Sequence, residues 1–154
     1  MKSRHGPFFV RHDLMHYAVE TTLGFDEAFY GLVAAGRSIE SFNSPRSGKA
    51  LPRQAGLAEF IVGLLDQNVR WNEGIDQDQF NRDLCESLKA GGVPVSPALP
   101  GNQIQAIMNR HRELTLRYTS LQTGECLELP FPANDVHQTS PSAGKGKMPA
   151  QRRG

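Results

Sequence analysis

The chain reads as a mainly α protein: a small bundle of about five helices with a minor C-terminal β-strand or hairpin and a disordered tail. Three observations predict this. Apolar residues recur at spacings of three and four in several stretches. Glycine- and proline-rich segments separate those stretches at helix-length intervals. A length of 154 residues, 38% hydrophobic and 21% charged, suits one domain of ordinary core size. The helical domain is expected over 1–131 and a disordered basic tail over 132–154.

The first helix is expected to begin near Val10 or His12 and to stop at Gly24, a residue suited to the left-handed C-terminal cap. Asp26 is a good N-cap for a second helix carrying Phe29, Leu32 and Val33 and ending at Gly36. So short a connection folds the two back as a hairpin. Residues 41–56, rich in Pro, Gly and Ser, read as a loop. Leu57, Phe60, Ile61, Leu64, Leu65 and Val69 form the apolar stripe of a third helix. A fourth opens at Asp76, carries Phe80, Leu84 and Leu88 four apart, and ends at Ala90-Gly91-Gly92. A fifth follows Gly101 with Ile104, Ile107, Met108, His111, Leu114 and Tyr118 in helical spacing. Leu127, Leu129 and Phe131 then alternate with polar or small neighbours, as in a half-buried strand, and a hairpin with 114–118 is the competing arrangement. Beyond Pro132 there is almost nothing apolar to bury.

A net charge of +1 provides no overall field towards DNA or an anionic membrane. The basic residues of the tail, Lys145, Lys147, Arg152 and Arg153, lack interleaved aromatics, so nucleic acid is not an expected partner. No apolar run approaches the ~20 residues of a membrane span, and Phe8 to Val10 is too short for a signal peptide. Cys85 and Cys126 stand alone, without CxxC spacing, as reduced thiols would in a cytoplasmic protein. "SGKA" at 47–50 lacks the preceding glycine and following hydroxyl of a phosphate loop. His111 lies inside an apolar stripe and reads as a satisfied core histidine.

The chemistry-bearing segment is "RHDLMH" at 11–16. On a helix, His12 and His16 point the same way about 6 Å apart, the arrangement two imidazoles need to hold one ion. The logic is that of the HExxH helix of metalloproteases, with Asp13 where the catalytic glutamate would stand. Asp13 is therefore a candidate base, ligand or orienting group. On a helical wheel, Leu14, Met15, Ala18, Val19 and Leu23 fill an apolar arc, His12 and His16 sit at its edge, and Asp13, Tyr17 and Glu20 follow on the polar side. Glu20 lies ~12 Å along the axis from His12, too far to share its ion. Glu27, returned by the short turn, is the expected third ligand, with Asp26 as the alternative. Imidazole plus carboxylate suits zinc, or iron(II).

"RHDLMH", followed by an acidic residue at the next helix, resembles the HDxxH motif of the coenzyme Q assembly family of ubiquinone biosynthesis. The resemblance covers about the first quarter of the chain and implies a zinc motif at His12, Asp13, His16 and Glu27. The opening is also similar to that of small bacterial proteins, which implies no activity. Two kinds of function follow as expectations. One is a metal-binding protein whose ion activates water for hydrolysis or lyase chemistry. The alternative is a non-enzymatic helical module that binds a protein, a second copy of itself or a hydrophobic ligand.

Overall fold

The computed structural model describes residues 7–38, 52–71 and 74–132. The described residues form five helices in this order: α1 (Pro7–Leu23), α2 (Phe29–Ala34), α3 (Arg53–Trp71), α4 (Gln77–Ala90) and α5 (Gly101–Thr119). None is long and apolar enough to cross a membrane.

α1 is the hub. It packs against α2, α3 and α5, while α4 lies on the outside of α3. Every residue from Leu14 to Glu20 is buried. α1 is thus enclosed nearly all round, and its wheel has no solvent face in the middle. Tyr17 and Glu20, expected on a polar side, are interior. The core joins Leu14, Met15, Ala18 and Val19 of α1 to Ile61, Val62 and Leu65 of α3, Phe80, Leu84 and Leu88 of α4, and Ile104, Ile107 and Leu114 of α5.

Helix boundaries follow from local chemistry. Proline is favoured in the first helical position, where its missing N–H costs nothing, and α1 accordingly begins at Pro7, ahead of the expected start. At its other end Gly24 takes φ +68°. The Phe25 N–H then donates to the Glu20 carbonyl at 2.9 Å, closing a Schellman cap. Asp76 caps α4 as expected, accepting from the Gln79 N–H at 2.7 Å.

α2 is shorter than the helix expected from Asp26 to Gly36. The reason lies on another helix: Gln54 Oε1 of α3 accepts from the main-chain N–H of both Asp26 (2.9 Å) and Glu27 (2.8 Å). Those residues are held in a bend, and Asp26 is not the N-cap. The bend passes so close to α2 that a Cβ on Gly31 would collide with the Asp26 carbonyl. Only glycine fits there.

The expected β element is not formed; among the described residues there is no strand. The competing hairpin partner, 114–118, belongs to α5. The period-two pattern is nevertheless real. Leu127, Leu129 and Phe131 are half-buried against the core, alternating with exposed Glu128, Pro130 and Pro132. The extended segment lies on helices instead of pairing with a strand, and the Tyr17 hydroxyl donates to the Pro130 carbonyl to hold it. Most of the loop expected over 41–56 lies outside the described residues, and from Arg53 the chain is already α3. The tail from 133 onward is likewise outside them.

Candidate metal centre

His12 and His16 share one face of α1, as their spacing requires. Their ring centroids are 4.9 Å apart and the planes nearly perpendicular. What surrounds them comes from α3. Asp66 Oδ2 is 2.6 Å from His12 Nδ1, and Glu59 Oε1 is 3.7 Å from His16 Nε2. Since 12 faces 66 and 16 faces 59, α1 and α3 run antiparallel along this seam.

One potential ligand atom from each of His12, His16 and Glu59 lies within 4.8 Å of the other two. Ligand atoms around a tetrahedral zinc are about 3.3 Å apart, given bonds near 2.0–2.1 Å. Capture of an ion would therefore draw the more widely separated of these atoms closer together. Glu59, with its side chain 62% exposed, has the freedom to move.

Both imidazoles have a carboxylate behind them. Asp66 occupies Nδ1 of His12, which leaves Nε2 for a metal. The hydrogen bond to Asp66 is also the main reason the His12 pKa is raised above its ordinary value. Burial opposes that rise, and the charges of Asp66, Glu59 and Asp13 add to it. His16 Nδ1 faces Glu20 Oε1 at 3.8 Å, too far for a hydrogen bond. Both atoms are buried without a hydrogen-bond partner among the described residues. The other oxygen of Glu20 is fully used, since Oε2 accepts from the N–H groups of Tyr30 (2.8 Å) and Gly31 (3.3 Å). A carboxylate of α1 thereby caps the N-terminus of α2 from outside.

Of the residues expected to form the site, His12 and His16 are brought together. Glu27 is not part of the group: it is exposed in the bend, its N–H donating to Gln54. Gln54 holds the turn so that the acid following it does not return to the histidines. Asp26 is in the same bend and equally exposed. Asp13 is half-buried, and its carboxylate favours the protonated forms of both His12 and Tyr30 through space. Its main-chain carbonyl accepts from the Tyr30 hydroxyl at 3.2 Å. Burial is the chief cause that keeps this phenol protonated far above its ordinary range.

Sequence reasoning missed Glu59 and Asp66, the two acids that α3 contributes. A signal was present. They stand seven apart, two helical turns, flanking the apolar stripe of the third helix. A flank so marked can face a histidine pair across a helix seam.

His111 is placed as expected. It is buried in α5, with Nε2 3.2 Å from the Arg11 carbonyl. Burial lowers its pKa, and the bond to the carbonyl opposes that shift only in part. No family model, no curated protein and no solved structure matches this chain.

Proposed function

We propose that this protein binds a divalent transition metal, zinc ahead of iron(II), through His12, His16 and Glu59. The observation that carries the proposal is the convergence of those three side chains within 4.8 Å, with carboxylates placed behind the imidazoles. Two imidazoles and one carboxylate are a ligand set of catalytic zinc sites, and three protein ligands leave a fourth position for water. The zinc motif implied by the resemblance of "RHDLMH" to the coenzyme Q assembly family points the same way.

In this reading an ion held by these residues would supply Lewis acidity suited to hydrolysis or lyase chemistry. The chain's own residues do the rest. Asp66 fixes the tautomer and orientation of His12. Glu20 Oε1 faces His16 Nδ1 at 3.8 Å and is the acceptor towards which that N–H would be drawn. Exposed Glu59 keeps one side of the centre open to solvent and substrate. Asp13 is the candidate base, on the strength of its electrostatic reach to His12.

The test is metal analysis of protein loaded with zinc or iron(II) and then desalted. One equivalent is expected for the unaltered protein and for Glu27→Ala. Little is expected for His12→Ala/His16→Ala, and weakened binding for Glu59→Ala. Sub-stoichiometric metal in the unaltered protein defeats the proposal, and retention by the double histidine variant moves the ion elsewhere.

A further inference from the structure

On the side of α1 served by α5, a cleft of about 290 Å³ opens between α1, the end of α3 and the middle of α5. Its composition is unlike that of the metal centre. Arg11 and Arg112 line it, and neither guanidinium has an ion-pair or hydrogen-bond partner among the described residues. Val69, Met108 and Leu116 form an apolar wall, of which Val69 and Leu116 are among the exposed large hydrophobic residues. Thr115 also lines the cleft, and its buried Oγ1 has no hydrogen-bond partner among the described residues. A helical threonine ordinarily bonds back to the carbonyl one turn earlier, as Thr21 does to Tyr17 at 2.6 Å. Thr115 has no such bond among the described residues, and its hydroxyl is buried at the cleft wall.

We infer that this cleft binds a small organic carboxylate, its head held by Arg11 and Arg112 and its short apolar body laid on Val69, Met108 and Leu116. Two planar guanidinium groups match an oxyanion by charge and by paired N–H donors. The apolar wall would leave inorganic anions undiscriminated, so it argues for a carbon chain behind the charge. The volume is at the small end of ligand pockets, which limits that chain to roughly half a dozen carbons. The inference stands apart from the metal proposal, because no ligand of the metal centre lines the cleft.

Titration calorimetry of metal-free protein, prepared on a chelating resin, tests it with hexanoate, 1-hexanol and inorganic phosphate as probes. Hexanoate is expected to bind once, with a Kd of roughly 0.1–1 mM for a ligand of this size. Hexanol and phosphate should each bind about tenfold more weakly or worse, and Arg11→Gln/Arg112→Gln should weaken hexanoate by at least about tenfold. Both arginines are exposed, so far-UV circular dichroism should show the fold retained. Leu116→Gln, at a position 64% exposed, tests the apolar wall separately and should weaken hexanoate without affecting phosphate. Absence of saturable hexanoate binding, equal affinity in the arginine variant, or parity of phosphate or hexanol with hexanoate overturns the inference.

Discussion

The two seams along α1 bury histidines of similar accessibility in opposite electrostatic company. On the α3 side His16 is 6% exposed and lies between Glu59 and Glu20, with His12 bonded to Asp66. On the α5 side His111 is 5% exposed, and its hydrogen-bond partner is an uncharged main-chain carbonyl, that of Arg11. The guanidinium of Arg110 covers the ring of Tyr17 close by, at 5.4 Å. Burial therefore does not decide what an imidazole is for; its partners do. Carboxylates behind a ring raise its basicity and suit it to a cation. A carbonyl in an apolar setting leaves it a neutral packing group.

The largest effects expected from breaking this contrast are on metal affinity. Replacing both His12 and His16 with alanine should abolish stoichiometric zinc binding, whereas His111→Leu should leave it intact. Asp66→Asn keeps the shape but removes the charge behind His12, and affinity should fall about 10- to 100-fold. Competition with a chromophoric chelator reads all three. Unchanged affinity in Asp66→Asn would mean that the short contact to His12 is structural alone.

The two seams were also unequally legible in the sequence. His111 belongs to an apolar stripe within a single helix, so periodicity alone placed it correctly. The histidine pair was legible for the same reason, since four-residue spacing is local geometry. Their carboxylate partners were not, because Glu59 and Asp66 depend on how α3 crosses α1, and no local rule encodes that register. Glu27 lies outside the group of His12, His16 and Glu59, in a bend held by one long-range pair of hydrogen bonds from its own N–H and that of Asp26 to Gln54. Tyr17 and Glu20 read as polar-side residues because a wheel assumes a solvent face, and α1 has none at its middle. The segment 127–131 had the right alternation and the wrong partner, since a helix surface selects alternate side chains as well as a strand does.

Next in size is Glu20, which links the carboxylate seam to α2. Glu20→Ala leaves two N–H groups at the start of α2 without their acceptor in a fully buried place, and should cost about 3 kcal/mol in urea unfolding. Glu20→Gln keeps a carbonyl acceptor for Tyr30 and should cost less than half of that. Equal losses would show that the charge, not the cap, is what matters. A smaller effect is expected one turn earlier on the same helix. Tyr17→Phe removes the hydroxyl that holds Pro130 and should cost about 1 kcal/mol, because the ring contacts to Tyr30 and Phe131 remain. Amide exchange over 125–132 should quicken in that variant more than exchange in α5.

The finest test is the pH dependence of stability in metal-free protein, where the two seams should pull in opposite directions. The pKa of His12 is raised in the fold, chiefly by the bond to Asp66. Between the unfolded value near 6.5 and the raised value, the native state binds more protons than the unfolded one. The stabilisation from His12 is thus complete below about pH 6.5 and lost as pH rises through its folded pKa. The pKa of His111 is lowered by burial, so its contribution runs the other way, present above about pH 6.5 and lost as pH falls through its folded pKa. His12→Asn should therefore flatten the alkaline side of the stability profile, and His111→Leu the acid side. Proton-detected titration of the two rings separates them directly. If His12 titrated below His111, the carboxylate seam would not be charging its imidazole, and the contrast between the two faces of α1 would collapse.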